Sequence, residues 1–183
     1  IGNEFNNNTV GNSFYHNTVG EGFQNNTVGN YFNTNTVGYG FTINTVGNNF
    51  YSNTIGDKYN NNTVGDEFSN NTVGNWFDSN KTSNIFNNNI IGDNFTDNIL
   101  CIFQNNNIGT DFYYNNTGPS FRSNTIVNSF QYNDIKYNVT SIDFTSATHV
   151  YANYSCEITK NSIGTLRLKY MVGDNDTIAN ITD

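Results

Sequence analysis

Residues 26–34 read Asn26-Thr27-Val28-Gly29-Asn30-Tyr31-Phe32-Asn33-Thr34, and they are one copy of a nine-residue unit, N-T-V-G-x-x-F-x-x. The unit recurs from residue 1 to about residue 138. Such self-similarity is typical of repeat architectures, in which each unit buries its apolar face only against neighbouring units. The fold of most of the chain therefore follows from what this unit can build.

Two apolar columns run through the units. The aromatic column consists of Phe5, Phe14, Phe23, Phe32, Phe41, Phe50, Tyr59, Phe68, Phe77, Phe86, Phe95, Phe103, Phe112, Phe121 and Phe130. The aliphatic column, four residues earlier, consists of Ile1, Val10, Val19, Val28, Val37, Val46, Ile55, Val64, Val73, Ile91, Ile99, Ile108, Ile126 and Ile135, with Thr82 and Thr117 as polar exceptions. One residue is missing between Phe95 and Ile99. We expect both columns to form a dry interior, since burying one such side chain contributes roughly 1.5–3 kcal/mol.

Asn and Gly hold two further fixed positions. The Asn column consists of Asn8, Asn17, Asn26, Asn35, Asn44, Asn53, Asn62, Asn71, Asn80, Asn89, Asn98, Asn106, Asn115, Asn124 and Asn133. Stacked Asn side chains form an amide ladder, whereas stacked carboxylates repel one another, and Asp replaces Asn in no copy. Gly follows the aliphatic residue in most copies, which predicts a tight corner with positive φ.

These columns predict an all-β protein, a β-helix or β-solenoid. Helix is disfavoured because the unit is rich in Gly, Thr, Val, Phe and Asn, and hairpins are disfavoured because no Asn-Gly dipeptide occurs. Two geometries fit: one chain coiled with two units per turn, giving a rod of roughly 36 Å, or three intertwined chains, giving roughly 70 Å. We favour the homotrimer, because a narrow single-chain coil has few inward positions for a stacked Phe in every unit.

The repeat ends near residue 138, which predicts two domains. Residues 1–138 form the shaft, and residues 139–183 form a C-terminal β-meander that caps it. The segments 141–144, 148–158, 166–172 and 177–181 have the composition and alternation of its strands. The chain begins in mid-unit without Met, so we expect it to be the C-terminal part of a longer protein.

Charge and composition exclude several function classes. The net charge of −8 disfavours nucleic acid and anionic membrane as partners, and no apolar run approaches transmembrane length. Cys101 and Cys156 are far apart, and His16 and His149 have no neighbours at ligand spacing. We therefore predict two free thiols and no metal, cofactor or catalytic group.

The run Asn44-Thr45-Val46-Gly47-Asn48-Asn49-Phe50-Tyr51-Ser52-Asn53-Thr54-Ile55-Gly56 resembles the Asn-rich N-T-I-G-x-x-F repeats of structural proteins of tailed bacteriophages, particularly crAss-like phages. The stretch Thr145-Ser146-Ala147-Thr148-His149-Val150-Tyr151, the pair Asn161-Ser162 and the ending Ile181-Thr182-Asp183 resemble the segments that follow such repeats. The resemblance implies a virion fibre, spike or appendage in the phage tail, with no catalytic residues.

The main functional hypothesis is a tail-fibre or tail-spike segment, with a rigid rod and a tip that attaches to a host glycan or protein receptor. One alternative is a glycan-depolymerising tailspike enzyme, for which Asp57, Asp66 and Glu67 on adjacent rungs are candidate carboxylates. Another is a bacterial adhesin on the extracellular cell surface. The last is an ice-binding solenoid with outward Thr9, Thr18, Thr27, Thr36, Thr45 and Thr54, although each unit offers one such Thr rather than two.

Aromatic residues in the variable positions are candidates for receptor contact, because outward rings can stack on sugars. They are Tyr15, Tyr31, Tyr39, Tyr51, Trp76, Tyr113, Tyr114 and Tyr132, and their alternative role is to cover the rungs of the shaft. We place the contact in the terminal domain at Tyr151, Tyr154 and Tyr170, and on the shaft at Trp76.

Overall fold

The chain is a parallel β-solenoid of about 7 turns with no helix among the residues described. The structure, a computed structural model, describes residues 1–82, 84–127, 130–131, 133–135, 139–144, 150–151, 158–160, 166–172 and 175–181. A single chain closes each coil, since Phe5 pairs with Phe23 and Thr9 with Thr27, one coil later. The structure thus has the single-chain geometry, with two units per coil, and not the intertwined one.

Four columns of short strands surround the core, and each forms one face. The first Phe face contains Phe5–Asn6, Phe23–Gln24, Phe41–Thr42, Tyr59–Asn60, Phe77–Asp78, Phe95–Thr96, Phe112–Tyr113 and Phe130–Gln131. The first Thr face contains Thr9–Val10, Thr27–Val28, Thr45–Val46, Thr63–Val64, Lys81–Thr82 and Asp134–Ile135. The second Phe face contains Phe14–Tyr15, Phe32–Asn33, Phe50–Tyr51, Glu67–Ser69 and Ile85–Asn87. The second Thr face contains Thr18–Val19, Thr36–Val37, Thr54–Ile55, Thr72–Val73, Ile90–Ile91 and Asn107–Ile108.

Longer strands bend around corners in the later coils. Ile99–Gln104 runs from the first Thr face to the second Phe face, and Asn116–Ile126 continues to the second Thr face. Val139–Phe144 stacks on Asn116–Ile126.

The two aromatic columns meet inside the coil and interlock. Within a column the rings are parallel: Phe23 and Phe41 are 4.9 Å apart between centroids, with an interplanar angle of 2°. Between columns they meet edge to face, as do Phe32 and Phe41 at 5.6 Å and 70°. Both arrangements are favourable for aromatic quadrupoles. Successive Phe residues lie half a coil apart, so opposing rings fill one narrow core, and this removes the packing argument that favoured three chains.

The Asn column forms the predicted amide ladder, as two parallel ladders, and Asn62 shows how an amide inside the shaft uses its oxygen and both N–H groups. The Oδ1 of Asn62 accepts the backbone N–H of Asn44 at 2.9 Å and its Nδ2 at 3.2 Å. The Nδ2 of Asn62 donates to Asn80 Oδ1 at 3.1 Å and to the carbonyl of Phe41 at 2.9 Å. An Asp side chain lacks both donors, which gives the physical reason for its absence from the column.

The Gly column serves close approach and not positive φ, which corrects the sequence prediction. A Cβ on Gly65 would lie on the Oδ1 of Asn48 and only 2.9 Å from the backbone of Asn48 and Gly47 in the preceding coil. The Asn48 Oδ1 accepts the backbone N–H of Asp66 at 3.0 Å, and the Asn48 side chain can lie there only because Gly65 has no Cβ. Positive φ occurs instead at the residue before the aromatic residue and at the second residue after it, including φ 57° at Ile43.

The eight-residue unit is arranged differently from the prediction. Leu100 fills the aliphatic column at 2% exposure, whereas Ile99 is 52% exposed and pairs with Lys81 in the row of outward residues. The missing residue lies after Leu100, where the pairing has a bulge before Ile102. Because the missing residue belongs to the corner after Leu100, the inward residues Phe95, Asn98 and Leu100 keep the spacing that they have in the other units.

Three hydroxyls interrupt the apolar core. Tyr59, Thr82 and Thr117 are at most 1% exposed, and their side-chain oxygens have no hydrogen-bond partner. Burial raises the pKa of Tyr59 well above its ordinary value. An unpartnered buried hydroxyl costs about 1–3 kcal/mol, so these positions weaken the stack.

Beyond residue 138 the described strands are mostly parallel to the preceding coils, unlike a meander. Ile158–Lys160 pairs in parallel with Val139–Phe144, and Leu166–Val172 pairs in parallel with Val150–Tyr151. The one antiparallel pair described joins Leu166–Val172 to Asn175–Ile181. The domain division at 138/139 and the capping role stay predictions.

Candidate functional site

A groove lies on the first Phe face of the solenoid. It has a volume of about 400 Å³ and is lined by Tyr39, Lys58, Asn60, Trp76, Asp78, Asn94 and Thr96. These residues come from consecutive coils, since Tyr59–Asn60 pairs with Phe77–Asp78 and Phe77–Asp78 with Phe95–Thr96. The groove therefore runs along the rod axis.

One wall of the groove is set by backbone conformation. Lys58, Trp76 and Asn94 each precede an inward aromatic residue and have φ of 67°, 62° and 62°. This left-handed conformation turns the chain at the corner and directs these side chains outward. Trp76 is 49% exposed and Tyr39 47% exposed, so both rings are accessible to a ligand.

The other wall is polar and is carried by the residues that follow the inward aromatics. Asp78 Oδ1 accepts hydrogen bonds from Thr96 Oγ1 at 3.1 Å and from Ser79 Oγ at 3.0 Å. Asn60 precedes Asp78 by one coil in the same row. Opposite them, the Lys58 ammonium lies 5.7 Å from the centroid of the Tyr39 ring, a cation–π contact that orders both side chains.

The backbone beneath the groove is already paired. Lys58 N–H donates to the carbonyl of Asn75 at 2.8 Å, and Tyr59 N–H donates to that of Trp76 at 3.0 Å. Trp76 N–H donates to the carbonyl of Asp93 at 2.8 Å. A ligand in this groove would thus be held by side chains and not by added strand pairing.

A smaller recess, which shares Tyr39 with the groove, lies nearer the N-terminus. It has a volume of about 210 Å³ and is lined by Asn3, Glu4, Glu21, Gly22, Gln24 and Tyr39. Gly22 and Gly40 occupy the position that Lys58 and Trp76 hold in later coils, with φ of 78° and 86°. Because no side chain extends from these two positions, Tyr39 lines both recesses.

The predicted receptor residues are dispersed. Trp76 and Tyr39 line the groove, whereas Tyr15, Tyr31 and Tyr51 belong to the second Phe face or its corner. Tyr113 and Tyr114 lie near the far end of the first Phe face.

The remaining aromatic candidates are described only in part. Tyr151 and Tyr170 belong to Val150–Tyr151 and Leu166–Val172, but their side chains lie outside the described part of the structure. Tyr132 and Tyr154 lie outside the described residues.

Sequence reasoning missed that Lys58, Asn60 and Asp78 lie beside Trp76. The signal was available, because residues spaced by 18 stack in a two-unit coil, as the hydrogen bond between Thr96 and Asp78 illustrates. That spacing could be used only after the two-unit coil had been chosen over the intertwined one.

The candidate carboxylates of the enzyme hypothesis do not lie on adjacent rungs of one column. Asp57 follows the second Thr face and Asp66 follows the first, half a coil apart, so they occupy different corners. Asp57 Oδ1 accepts the backbone N–H of Asn75 at 2.8 Å, and Glu67 Oε1 accepts the Ser69 hydroxyl at 2.6 Å. These contacts support the coil, and they give no observation in favour of paired catalytic carboxylates.

The outward threonines form one row on each Thr face. Thr9, Thr27, Thr45 and Thr63 stack in register on the first face, and Lys81 and Ile99 continue the row. The row on the second face continues from Thr72 to Ile90. Rows of one Thr per rung that end in larger side chains do not favour the ice-binding hypothesis.

The described residues contain neither a metal-binding cluster nor a membrane-spanning helix. No group of three or more His, Cys, Asp or Glu side chains there is placed to hold a metal ion. Cys101 is a free, half-buried thiol, and His16 is exposed, while Cys156 and His149 lie outside the described residues. Within the same part of the chain, no helix has the length and apolarity needed to cross a membrane.

Comparisons with protein-family models, with curated proteins and with solved structures find no match for this chain.

Proposed function

We propose that the chain is a segment of a tail fibre or tail spike of a tailed bacteriophage, in which the coils form a rigid rod that supports attachment to the host. The proposal places the protein in the virion, with a cell-surface glycan or protein as its partner. It assigns no catalytic role to the described residues.

The observation that carries the proposal is the continuity of the stack. Aromatic rings follow one another at 4.9 to 5.1 Å along both Phe faces from Phe5 and Phe14 to Phe112 and Phe121. Each coil contacts only the coils before and after it, so adding units lengthens the rod without changing its section. This geometry suits a spacer, and the resemblance of the repeats to phage structural proteins gives the spacer its setting.

Self-association into a homotrimer is a further part of the proposal. Ile43, Ile90 and Ile99 are more than half exposed, and neighbouring rods packed along the shaft would bury such side chains. Because each coil closes within one chain, the chains would associate side by side. Light scattering of the purified chain is expected to give the mass of three copies, and a monomer at micromolar concentration would contradict this part alone.

Immunoelectron microscopy tests the proposed location. Antibodies against the chain are expected to label the tails of virions from a culture that expresses it. Label on bacterial cells but not on virions would support the adhesin alternative and overturn the phage proposal. A matched antiserum against an internal capsid protein controls for broken particles.

Adsorption tests the attachment role. An excess of the purified chain is expected to slow adsorption of these virions to their host, because it occupies the same receptors. The same amount of heat-unfolded chain serves as the control. Unchanged adsorption at saturating chain would contradict a role in host contact.

A further inference from the structure

The groove between Tyr39 and Trp76 contains aromatic rings that the fold itself does not require. The core is filled by the inward rings, and both groove rings lie outside it. Trp76 has a left-handed φ of 62°, a conformation that bulky side chains adopt at a cost of order 1–3 kcal/mol. Gly40, Lys58 and Asn94 occupy the same position in other coils on this face, so the coil can be built without a ring there.

The spacing of the groove matches a short chain of sugar rings. Beneath it, Phe41, Tyr59 and Phe77 stack at 5.0 and 4.9 Å between centroids, so Tyr39 and Trp76 are separated by two coil steps along the axis. Adjacent rings of a linked pyranose chain lie about one coil step apart, so the first and third rings of such a chain would lie over Tyr39 and Trp76. The apolar C–H face of a pyranose packs on an aromatic ring, which leaves its hydroxyls at the edge.

Polar groups stand where those hydroxyls would lie. Asn60, Asp78 and Thr96 form a row along the opposite wall at the same coil repeat, and they offer an amide, a carboxylate and a hydroxyl. A largely preformed recess with a few placed polar groups is the usual form of a small-ligand site. Lys58 lies against Tyr39 and adds a donor between the two rings.

Other ligand classes fit less well. The net charge of −8 and the carboxylate of Asp78 disfavour nucleic acids and acidic polysaccharides. A peptide bound as an added strand needs unpaired backbone groups, and the N–H groups of Lys58, Tyr59 and Trp76 are already bonded to the next coil. A neutral sugar chain requires neither positive charge nor a free strand edge.

We infer that this groove binds a neutral oligosaccharide of pyranose residues, with one ring stacked on Tyr39, another on Trp76, and hydroxyls hydrogen-bonded to Asn60 and Asp78. For its biological meaning the inference rests on the proposed attachment role, in which the sugar would belong to the host surface. The shaft, and not only a terminal domain, then contacts the receptor.

The test begins with an array of neutral oligosaccharides of two to six pyranose residues, and with titration of the best of them against the protein. Trp76 is the one tryptophan of the chain, so its fluorescence reports directly on occupancy of the groove. We expect saturable binding accompanied by a change in Trp76 emission. An acidic oligosaccharide of equal length is expected to bind more weakly.

Two substitutions locate the binding. Trp76→Asn suits the left-handed corner and is expected to weaken binding roughly tenfold or more, measured by calorimetry. Tyr31→Asn is the matched control, because Tyr31 has φ 66° and 47% exposure at the equivalent corner of the second Phe face. Tyr39→Ser gives a second test at the other end of the groove, and circular dichroism checks that each variant retains the fold.

The outcomes separate this inference from the proposed function. Loss of binding in the Trp76 and Tyr39 variants, but not in the Tyr31 variant, supports the groove. No binding of any neutral oligosaccharide at millimolar concentration, or equal binding by the Trp76 variant, overturns it. Neither of those negative results changes the labelling or adsorption experiments, which test the fibre role independently.

Discussion

The substitution Asn62→Asp tests the Asn ladder at the centre of the shaft. Asn62 is 1% exposed, and its amide accepts two hydrogen bonds from Asn44 and donates one each to Asn80 and to the Phe41 carbonyl. A carboxylate keeps the shape and the two accepted bonds. It loses both donated bonds and turns an oxygen toward two acceptor oxygens.

The expected loss of stability follows from these contacts. The substitution removes one donor from each of two buried acceptors, the Phe41 carbonyl and the Asn80 Oδ1, although the latter keeps the backbone N–H of Asn62. An acceptor left unsatisfied costs about 1–3 kcal/mol. An uncompensated buried charge costs a similar amount, about 3–5 kcal/mol, when it cannot escape to solvent. Both effects describe the same contacts and are not added, so we expect the free energy of unfolding to fall by about 3–5 kcal/mol at neutral pH.

Urea unfolding monitored by Trp76 emission and circular dichroism measures this loss. Asn61→Asp is the matched control: Asn61 is adjacent, exposed and has φ 55°, a conformation that Asp also adopts. We expect the control to change stability by less than about 0.5 kcal/mol. Partial unfolding is informative too, because a defect in one coil of a repeat protein can uncouple the coils on either side.

The pH dependence identifies charge as the cause. Burial, together with an oxygen that faces two acceptor oxygens, raises the folded-state pKa of the new carboxyl above its unfolded value of about 4. The destabilisation is therefore complete above the folded pKa and decreases as the pH falls toward the unfolded value. A loss equal at pH 7 and pH 3, or a midpoint equal to that of Asn61→Asp, would refute the reasoning.

Three further substitutions test the other columns. Tyr59→Phe is expected to raise stability by about 1–2 kcal/mol in thermal unfolding, since it removes an unpartnered buried hydroxyl. Burial raises the pKa of Tyr59 in the folded protein, so above about pH 10 only the unfolded chain ionises this phenol, and the stability gained by the substitution should increase there. Gly65→Ala is expected to lower the free energy of unfolding by about 2–4 kcal/mol, because the added Cβ would clash with the preceding coil. Gly11→Ala is the control and should be nearly neutral, since its Cβ would meet nothing within 4 Å; equal effects of the two substitutions would contradict the close-approach role. Ile43→Asn is expected to stabilise by about 1 kcal/mol, because Ile43 is exposed and has a left-handed φ of 57°, and an unchanged urea midpoint would show that the corner is not strained.

The interior of the shaft was predictable because its requirements repeat in every unit. A stacked ring and a stacked amide each need the same residue one coil later, so period and identity together indicated the Phe core and the Asn ladder. Coil closure was not predictable in this way. The columns look the same whether the next copy belongs to the same chain or to another, so the repeat pattern by itself does not distinguish the two geometries.

The errors of detail came from choosing the wrong reference residue. Measured from Asn98, the aliphatic position falls on Leu100, and the spacing from the ladder would have identified it. Measured from Phe95 with one residue deleted, it falls on the exposed Ile99. Gly was assigned to positive φ by its general preference, whereas Ile43 and Trp76 hold such corners and Gly65 avoids a contact between coils.

The two-unit coil also determines where function can be encoded. Alternate units lie on opposite faces, so a ligand site on one face is specified by residues with a period of 18 and not nine. Lys58, Trp76 and Asn94 follow that period, and Tyr31 belongs to the intervening units. A substitution and its control can therefore be placed at equivalent corners of one shaft with the same backbone, exposure and flanking ring. A difference in ligand binding between the Trp76 and Tyr31 variants then reflects the side chains of the groove, because the backbone has the same conformation on both faces.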